Sequence, residues 1–67
     1  MPIVEVTMVE GRSKKLKTSL IREITDAVER SISAPRQSIR VILREVPAEH
    51  FAVAGIAKSK ERQRIKR

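Results

Sequence analysis

The chain has 67 residues, so we expect a single domain, residues 1–67, and a domain of this size buries only about 60% of the surface that its unfolded chain exposes. It has no cysteine and one histidine, which excludes disulfides and the usual zinc ligand sets. Oligomerisation is the remaining way to complete a core. No apolar run could span a membrane and no secretory signal opens the chain, so we expect a cytoplasmic protein with no metal.

The charge balance points to anionic partners. Lysine and arginine number 15 against 8 acidic residues, a net charge of +7, so the protein attracts anions. Nucleic acid, small dicarboxylates and phosphorylated metabolites are all candidates, and simple solvation of a basic surface is a further alternative. Phe51 is the only aromatic residue, which leaves no stacking platform for bases, and no zinc-finger, RRM or KH signature occurs. Nucleic acid is therefore the less favoured partner.

The first half of the chain predicts a strand and a helix. Apolar residues alternate over residues 3–9, which indicates a strand with one wholly apolar and one mixed face. Ser13 is a good helix N-cap, and the spacing after it predicts a helix to about Ser33, stopped by Pro35. Its apolar stripe consists of Leu16, Leu20, Ile24, Ala27, Val28 and Ile32, with Ile21 beside it.

The second half predicts another strand and a short hairpin. Residues 39–46 alternate again and end at Pro47. Strand, helix and strand form one β-α-β unit, whose strands must be parallel and joined by a right-handed crossover. The short apolar segment 51–54, followed by a turn at Gly55, predicts a C-terminal hairpin. Residues from about 59 to 67 form a basic tail that we expect to be frayed. The predicted fold class is α/β, with a two-stranded parallel core.

This layout leaves one sheet face without cover. One helix covers only one face of a two-stranded sheet, whereas parallel sheets are almost always buried on both. The second face would carry the apolar residues Ile3, Val9, Ile42 and Val46. A second copy of the chain is the obvious cover, so we expect an oligomer whose pockets form at subunit boundaries and borrow residues from different chains.

Pro2 is a candidate catalytic group. The initiator Met1 is usually trimmed in front of a small residue, which would leave Pro2 with a free secondary amine. An α-amine titrates near about 8 when unperturbed, so desolvation or nearby cations can make it a base at neutral pH. The structural alternative is that proline suits the first position of a strand, because it has no backbone N–H to give. From Pro2 alone, that alternative is favoured.

Two arginines occupy positions that structure alone does not explain. Arg12 precedes the helix, with lysines at 14–15 in the first turn, although the helix dipole disfavours cations there. Together with the free backbone N–H groups, they make a ready anion site. Arg40 lies on the second strand face among apolar neighbours, where an unpaired guanidinium is costly. Its guanidinium would therefore need to pair with a ligand, or with a carboxylate of the protein such as Glu5 or Glu45.

Several separated segments together resemble the 4-oxalocrotonate tautomerase family, from Pro2 to about Lys60. They are Met1-Pro2-Ile3, Glu10-Gly11-Arg12-Ser13, Leu20-Ile21-Arg22-Glu23, Ala34-Pro35, Ser38-Ile39-Arg40-Val41-Ile42 and His50-Phe51. The resemblance implies that Met1 is removed, that the amino-terminal proline is the catalytic base, and that β-α-β protomers assemble into a homohexamer, a trimer of dimers.

The same resemblance implies a reaction and a set of site residues. Pro2 would shuttle the proton, Arg12 and Arg40 would bind the carboxylate and oxygen ends of the substrate from neighbouring subunits, and Phe51 would form an apolar wall. The expected substrate contacts are Arg12, Arg40, Phe51, Val9 and Val53. The family's reaction converts 2-hydroxymuconate, a dienol dicarboxylate, to its conjugated 2-oxo isomer in bacterial catechol meta-cleavage, part of aromatic hydrocarbon catabolism, without a cofactor.

The sequence also departs from the familiar pattern of this family. Residues 52–55 are less rich in glycine than is typical, lysines at 14–15 replace an acidic pair, and the basic tail is longer. The family also contains dehalogenases, decarboxylases and biosynthetic members, so the substrate stays open at this point. The second hypothesis, from another class, is a small basic module that binds nucleic acid or an acidic protein.

Overall fold

The computed structural model describes residues 1–59, and the predicted basic tail lies outside the described residues except for Ser59. In chain order the elements are β1 (Ile3–Val9), α1 (Lys14–Ile32), β2 (Arg40–Val46), β3 (Ala52–Val53) and β4 (Ile56–Ala57). β1 and β2 form one sheet, and β3 and β4 form a separate hairpin. Single 3-10 turns, Arg36–Ser38 and Ala48–His50, flank β2.

The sheet is parallel, as the β-α-β prediction requires. β1 and β2 pair over their whole length, from Ile3 opposite Arg40 to Val9 opposite Val46. β1 has the predicted bounds. β2 begins one residue later than predicted, because the backbone N–H of Ile39 closes the preceding 3-10 turn. The predicted fold class, an α/β protomer with a C-terminal hairpin, is confirmed.

Local caps hold both ends of α1. The Ser13 side chain accepts a hydrogen bond from the backbone N–H of Leu16 at 3.2 Å. Ser33 ends the helix in the left-handed conformation, with φ of 56°. Pro35 follows two residues later, where it cannot continue the helix. The predicted extent of the helix is therefore confirmed.

α1 covers one face of the sheet only with the middle of its apolar stripe. Those middle residues, all half-buried, are Leu20, Ile24, Ala27 and Val28. Leu16 and Ile32, at the two ends of the predicted stripe, are exposed in the protomer. A 19-residue helix is about 28 Å long and a 7-residue strand about 23 Å, so the helix ends overhang the sheet. The Lys17 ammonium, 2.8 Å from the Glu45 carboxylate, ties helix to sheet.

The opposite face of the sheet is open. Ile3 is 61% exposed and Ile42 is 41% exposed, while Val9 and Val46 on the same face are half-buried. Among residues 1–59 only Ile39 counts as buried, at 9% exposure. A protomer whose described part buries so little has no independent core, which agrees with the expected need for a second copy.

The hairpin turns through an unusual residue. Ala54 and Gly55 are the two residues between β3 and β4, and both have positive φ, 54° and 81°. Positive φ at both central positions is the type I′ turn that suits a two-residue hairpin, and its favoured residues are asparagine and glycine. An alanine in the left-handed region costs about 1–2 kcal/mol because its Cβ crowds the following carbonyl oxygen. Ala54 therefore stores strain in the hairpin.

We expect Ala54→Gly to stabilise the protein. Removing the Cβ relieves the left-handed strain, and the added chain entropy of glycine offsets part of the gain, which leaves about 0.5–1 kcal/mol. The measurement is the denaturant midpoint of unfolding. Ala52→Gly is the matched control, since the same change in a strand should lower the midpoint. Equal midpoint shifts for the two variants would mean that Ala54 is not strained.

Candidate active site

One end of the sheet carries Pro2 and Arg40. The backbone N–H of Arg40 donates to the carbonyl of Pro2 at 3.0 Å, which continues the parallel ladder beyond Ile3. Arg40 lies opposite Ile3 and shares its face, so the alternation of the strand places the Pro2 ring on the other face. Met1, before it, is 84% exposed. The end of the chain is therefore open to removal of Met1.

The carboxylates that could have paired with Arg40 are engaged elsewhere. Arg44 donates to the Glu5 carboxylate at 3.0 Å, and this hydrogen bond, with the charge of Arg44, holds the pKa of Glu5 below its ordinary value. Glu45 pairs with Lys17 at 2.8 Å. The guanidinium of Arg40 donates to the backbone carbonyl of Gln37 at 2.7 Å, and no carboxylate within residues 1–59 pairs with it. Neither Glu5 nor Glu45 therefore pairs with Arg40 in the described protomer.

The other end of the sheet carries Arg12 and an apolar recess. Arg12 extends from the loop between β1 and α1, and its Nη1 donates to the backbone carbonyl of Val9 at 3.2 Å. No carboxylate within residues 1–59 pairs with it. The guanidinium opens onto a recess of about 300 Å³ lined by Thr7, Met8, Val9, Arg12, Phe51 and Lys58. The recess thus combines cationic groups with an apolar wall, as a site for an organic anion requires.

The two ends of the sheet are too far apart to form one site within a single protomer. Six residue steps separate Ile3 from Val9, a distance of about 20 Å along an extended strand. Pro2 and Arg12 lie beyond these two ends. A site that uses both residues must therefore take them from different chains, as expected from the sequence.

A larger recess, of about 590 Å³, runs along the outside of α1. It is lined by Lys14, Lys15, Thr18, Ser19 and Arg22. All of these described lining residues belong to one helix. They concentrate positive charge and include neither an apolar side chain nor Pro2, which the catalytic prediction requires.

Some of the predicted substrate-contact residues line the recess beside Arg12, and one does not. Val9 and Phe51 line the recess beside Arg12, as predicted. Val53 lies on the hairpin, 57% exposed, and is not among the described lining residues. Sequence reasoning missed Lys58, which directly follows β4 and whose backbone N–H donates to the Phe51 carbonyl at 2.7 Å.

A model of the family described as tautomerase enzyme matches residues 2–61. The match begins at Pro2, the residue whose amine the sequence nominated as a base. The chain belongs to the tautomerase family. Within the described residues, no helix of this tautomerase is both long and apolar enough to cross a membrane.

Relatives and solved structures agree with this assignment. The chain is 49% identical to a protein named probable tautomerase from Ralstonia nicotianae, over 88% of this chain and 84% of that protein. It is 47% identical to a 2-hydroxymuconate tautomerase of Stutzerimonas stutzeri, over 82% of this chain and 87% of that one. A heterohexamer 4-oxalocrotonate tautomerase from Chloroflexus aurantiacus has a similar structure, with a TM-score of 0.86 at 35% identity, covering 90% and 97% of the two chains. The resemblance to the 4-oxalocrotonate tautomerases is confirmed, and the protein is an isomerase of that kind.

We expect Arg12→Ala and Arg40→Ala each to lower kcat/KM on a dicarboxylate substrate by about 30-fold. This corresponds to the loss of one charge-assisted contact, about 2 kcal/mol. The measurement is steady-state kinetics, together with light scattering to verify assembly. Arg36→Ala is the control, because Arg36 pairs with Asp26 and Glu29 and should leave kcat/KM unchanged. Loss of assembly in Arg40→Ala, with no separate loss of activity, would assign Arg40 a structural role.

Proposed function

We propose that this tautomerase moves a proton within dienol dicarboxylates of the 2-hydroxymuconate type, giving the conjugated 2-oxo acid, with the amine of Pro2 as the base. The observation that carries the proposal is the recess in which the guanidinium of Arg12 meets the apolar wall of Val9 and Phe51. The 2-hydroxymuconate tautomerase among its relatives supports this substrate class. A family match that begins at Pro2 supports the base.

The proposed reaction needs one base and two cations. The unprotonated amine of Pro2 takes the proton of the 2-hydroxyl group and returns it to a carbon of the same molecule, so no oxidant, reductant or cofactor is consumed. Negative charge develops on the dienolate between these two transfers, and a guanidinium beside it lowers the barrier. Arg40 serves this role, and Arg12 holds a carboxylate by bidentate hydrogen bonds, for which lysine is a poorer substitute.

The proposed site is shared between chains of a homohexamer, a trimer of dimers. The length of the sheet separates Pro2 from Arg12, and strand alternation turns the Arg40 side chain away from the Pro2 ring of its own protomer. Both features favour guanidiniums supplied by neighbouring chains. The open sheet face around Ile3 and Ile42 offers the contact surface. The Chloroflexus aurantiacus relative, which is a heterohexamer, supports an assembly of six chains.

Blocking the amine of Pro2 should abolish activity. A form that retains Met1 should fold and assemble, yet lose nearly all isomerisation of 2-hydroxymuconate, because the amide nitrogen at Pro2 has no basic lone pair. Pro2→Ala should lose less, since a primary amine remains, although a displacement of about 1 Å can cost about 100-fold. The measurement is the absorbance change of 2-hydroxymuconate for trimmed, Met1-retaining and Pro2→Ala proteins.

The pH profile is a second readout of the same base. Only the unprotonated amine accepts a proton, so kcat/KM should rise with pH through the pKa of Pro2. Nearby arginines favour the neutral amine, which places that rise below the ordinary value of about 8. Intact mass must establish the N-terminus of each protein, and light scattering its assembly. Full activity in a verified Met1-retaining hexamer would remove Pro2 from catalysis.

The hexamer is tested by charging the open sheet face. Light scattering should give about six times the 7.6 kDa chain mass for the unmodified protein, and no folded monomer should survive dilution. Ile42→Lys should break the assembly, because it buries an unpaired ammonium in the proposed contact. Leu16→Lys, the same kind of change at an exposed helix end, is the control. A stable folded monomer of the unmodified protein would contradict the assembly.

A further inference from the structure

Lys58 is a neighbour of Phe51 across the hairpin. β3 and β4 pair Val53 with Ile56 and Ala52 with Ala57, and Phe51 and Lys58 directly flank this last pair. The backbone N–H of Lys58 donates to the carbonyl of Phe51 at 2.7 Å. This hydrogen bond holds Lys58 next to Phe51 at the open end of the hairpin.

The open end of the hairpin borders the recess that contains Arg12. Lys58 and Arg12 both line the recess, with Val9, Met8 and Phe51 as its apolar part. No acidic residue is among the described lining residues. Lys58 is half-buried, as expected when the aliphatic stem of a lysine packs on apolar surface and its ammonium reaches the edge. Two cationic side chains thus flank one apolar recess.

We propose that Lys58 is a specificity-determining residue, which acts with Arg12 to bind the carboxylate farther from the reacting enol and so selects dicarboxylates over monocarboxylates. The inference rests on the proposed function and specifies which acids that site accepts. Arg12 has one Nη1 N–H committed to the Val9 carbonyl, and its remaining N–H groups can reach a carboxylate. Lys58 adds a second, compact positive charge to the lining of the recess. Lys58 contributes to substrate binding, whereas the proton transfer belongs to Pro2.

The inference predicts a loss that depends on the second carboxylate. The substrates are 2-hydroxymuconate and 2-hydroxypenta-2,4-dienoate, the corresponding dienol without that carboxylate. Lys58→Met should raise KM for the diacid by at least about tenfold, the value of one contact to a charged group, with little change in kcat. KM for the monoacid should not change. Lys58→Arg should restore the diacid KM, because it restores the charge.

Two controls separate a binding role from a structural one. Arg30→Met removes an exposed cation of α1 that does not line this recess, and it should leave both KM values unchanged. Each variant is checked for its assembly by light scattering, and Lys58→Gln replaces Lys58→Met if the latter does not assemble. Equal KM changes for the two acids, or no change for either, would overturn the role of Lys58.

A binding measurement keeps this inference separate from the proposed function. trans,trans-Muconate is a dicarboxylate without an enol, and sorbate is its monocarboxylate counterpart with the same double-bond geometry, so calorimetric titration with both reports binding alone. If the trimmed protein isomerises neither dienol acid, the proposed function fails, and muconate binding still tests Lys58. Weaker muconate binding in Lys58→Met, with sorbate binding unchanged, supports the inference. Equal muconate affinity in the unmodified protein and in Lys58→Met overturns it.

Discussion

The constraint on which the rest of the structure depends is that a single helix can cover only one face of a parallel sheet. α1 packs on one face of β1 and β2, and apolar side chains such as Ile3 and Ile42 remain exposed on the other. Parallel sheets are almost always covered on both faces, since their strands carry apolar residues on each side. Among the described residues only Ile39 is buried, so this part of the protomer has little core of its own. The open face gives the proposed assembly a thermodynamic reason as well as a catalytic one.

The same geometry divides the proposed site between the ends of the sheet. Pro2 lies at the start of β1, and Arg12 follows its end, about 20 Å away along the strand. No change in the rotamer of Arg12 could close such a distance. Catalysis in the proposed site is thereby coupled to assembly, because the base and the Arg12 cation meet only across a subunit boundary.

The distribution of ion pairs supports this division of roles. Glu5 and Glu45 are engaged by Arg44 and Lys17, so they do not neutralise Arg40 in the described protomer. Arg12 and Arg40 instead donate to backbone carbonyls, which orient a guanidinium without cancelling its charge. These exposed pairs contribute little to stability, as is usual for surface ion pairs. They leave Arg12 and Arg40 without a paired carboxylate among residues 1–59.

The sequence by itself determined the elements and the order in which they pair. Alternation over β1, the Ser13 cap and the stop at Pro35 are local signals, and a strand, a helix and a strand in succession leave a parallel pair as the simple arrangement. It also predicted Pro2, Arg12 and Arg40 as site residues. Pro2 follows Met1, Arg12 precedes the start of the helix, and Arg40 lies among apolar strand residues, and all three signals can be read from the sequence. Only the tertiary structure decided that Glu5 and Glu45 pair with Arg44 and Lys17. It also decided that Leu16 is exposed at the end of the helix and that Lys58 lines the recess with Arg12. Those outcomes depend on the relative lengths of helix and strand and on the register of the hairpin, which fix distances between residues that are far apart in the chain.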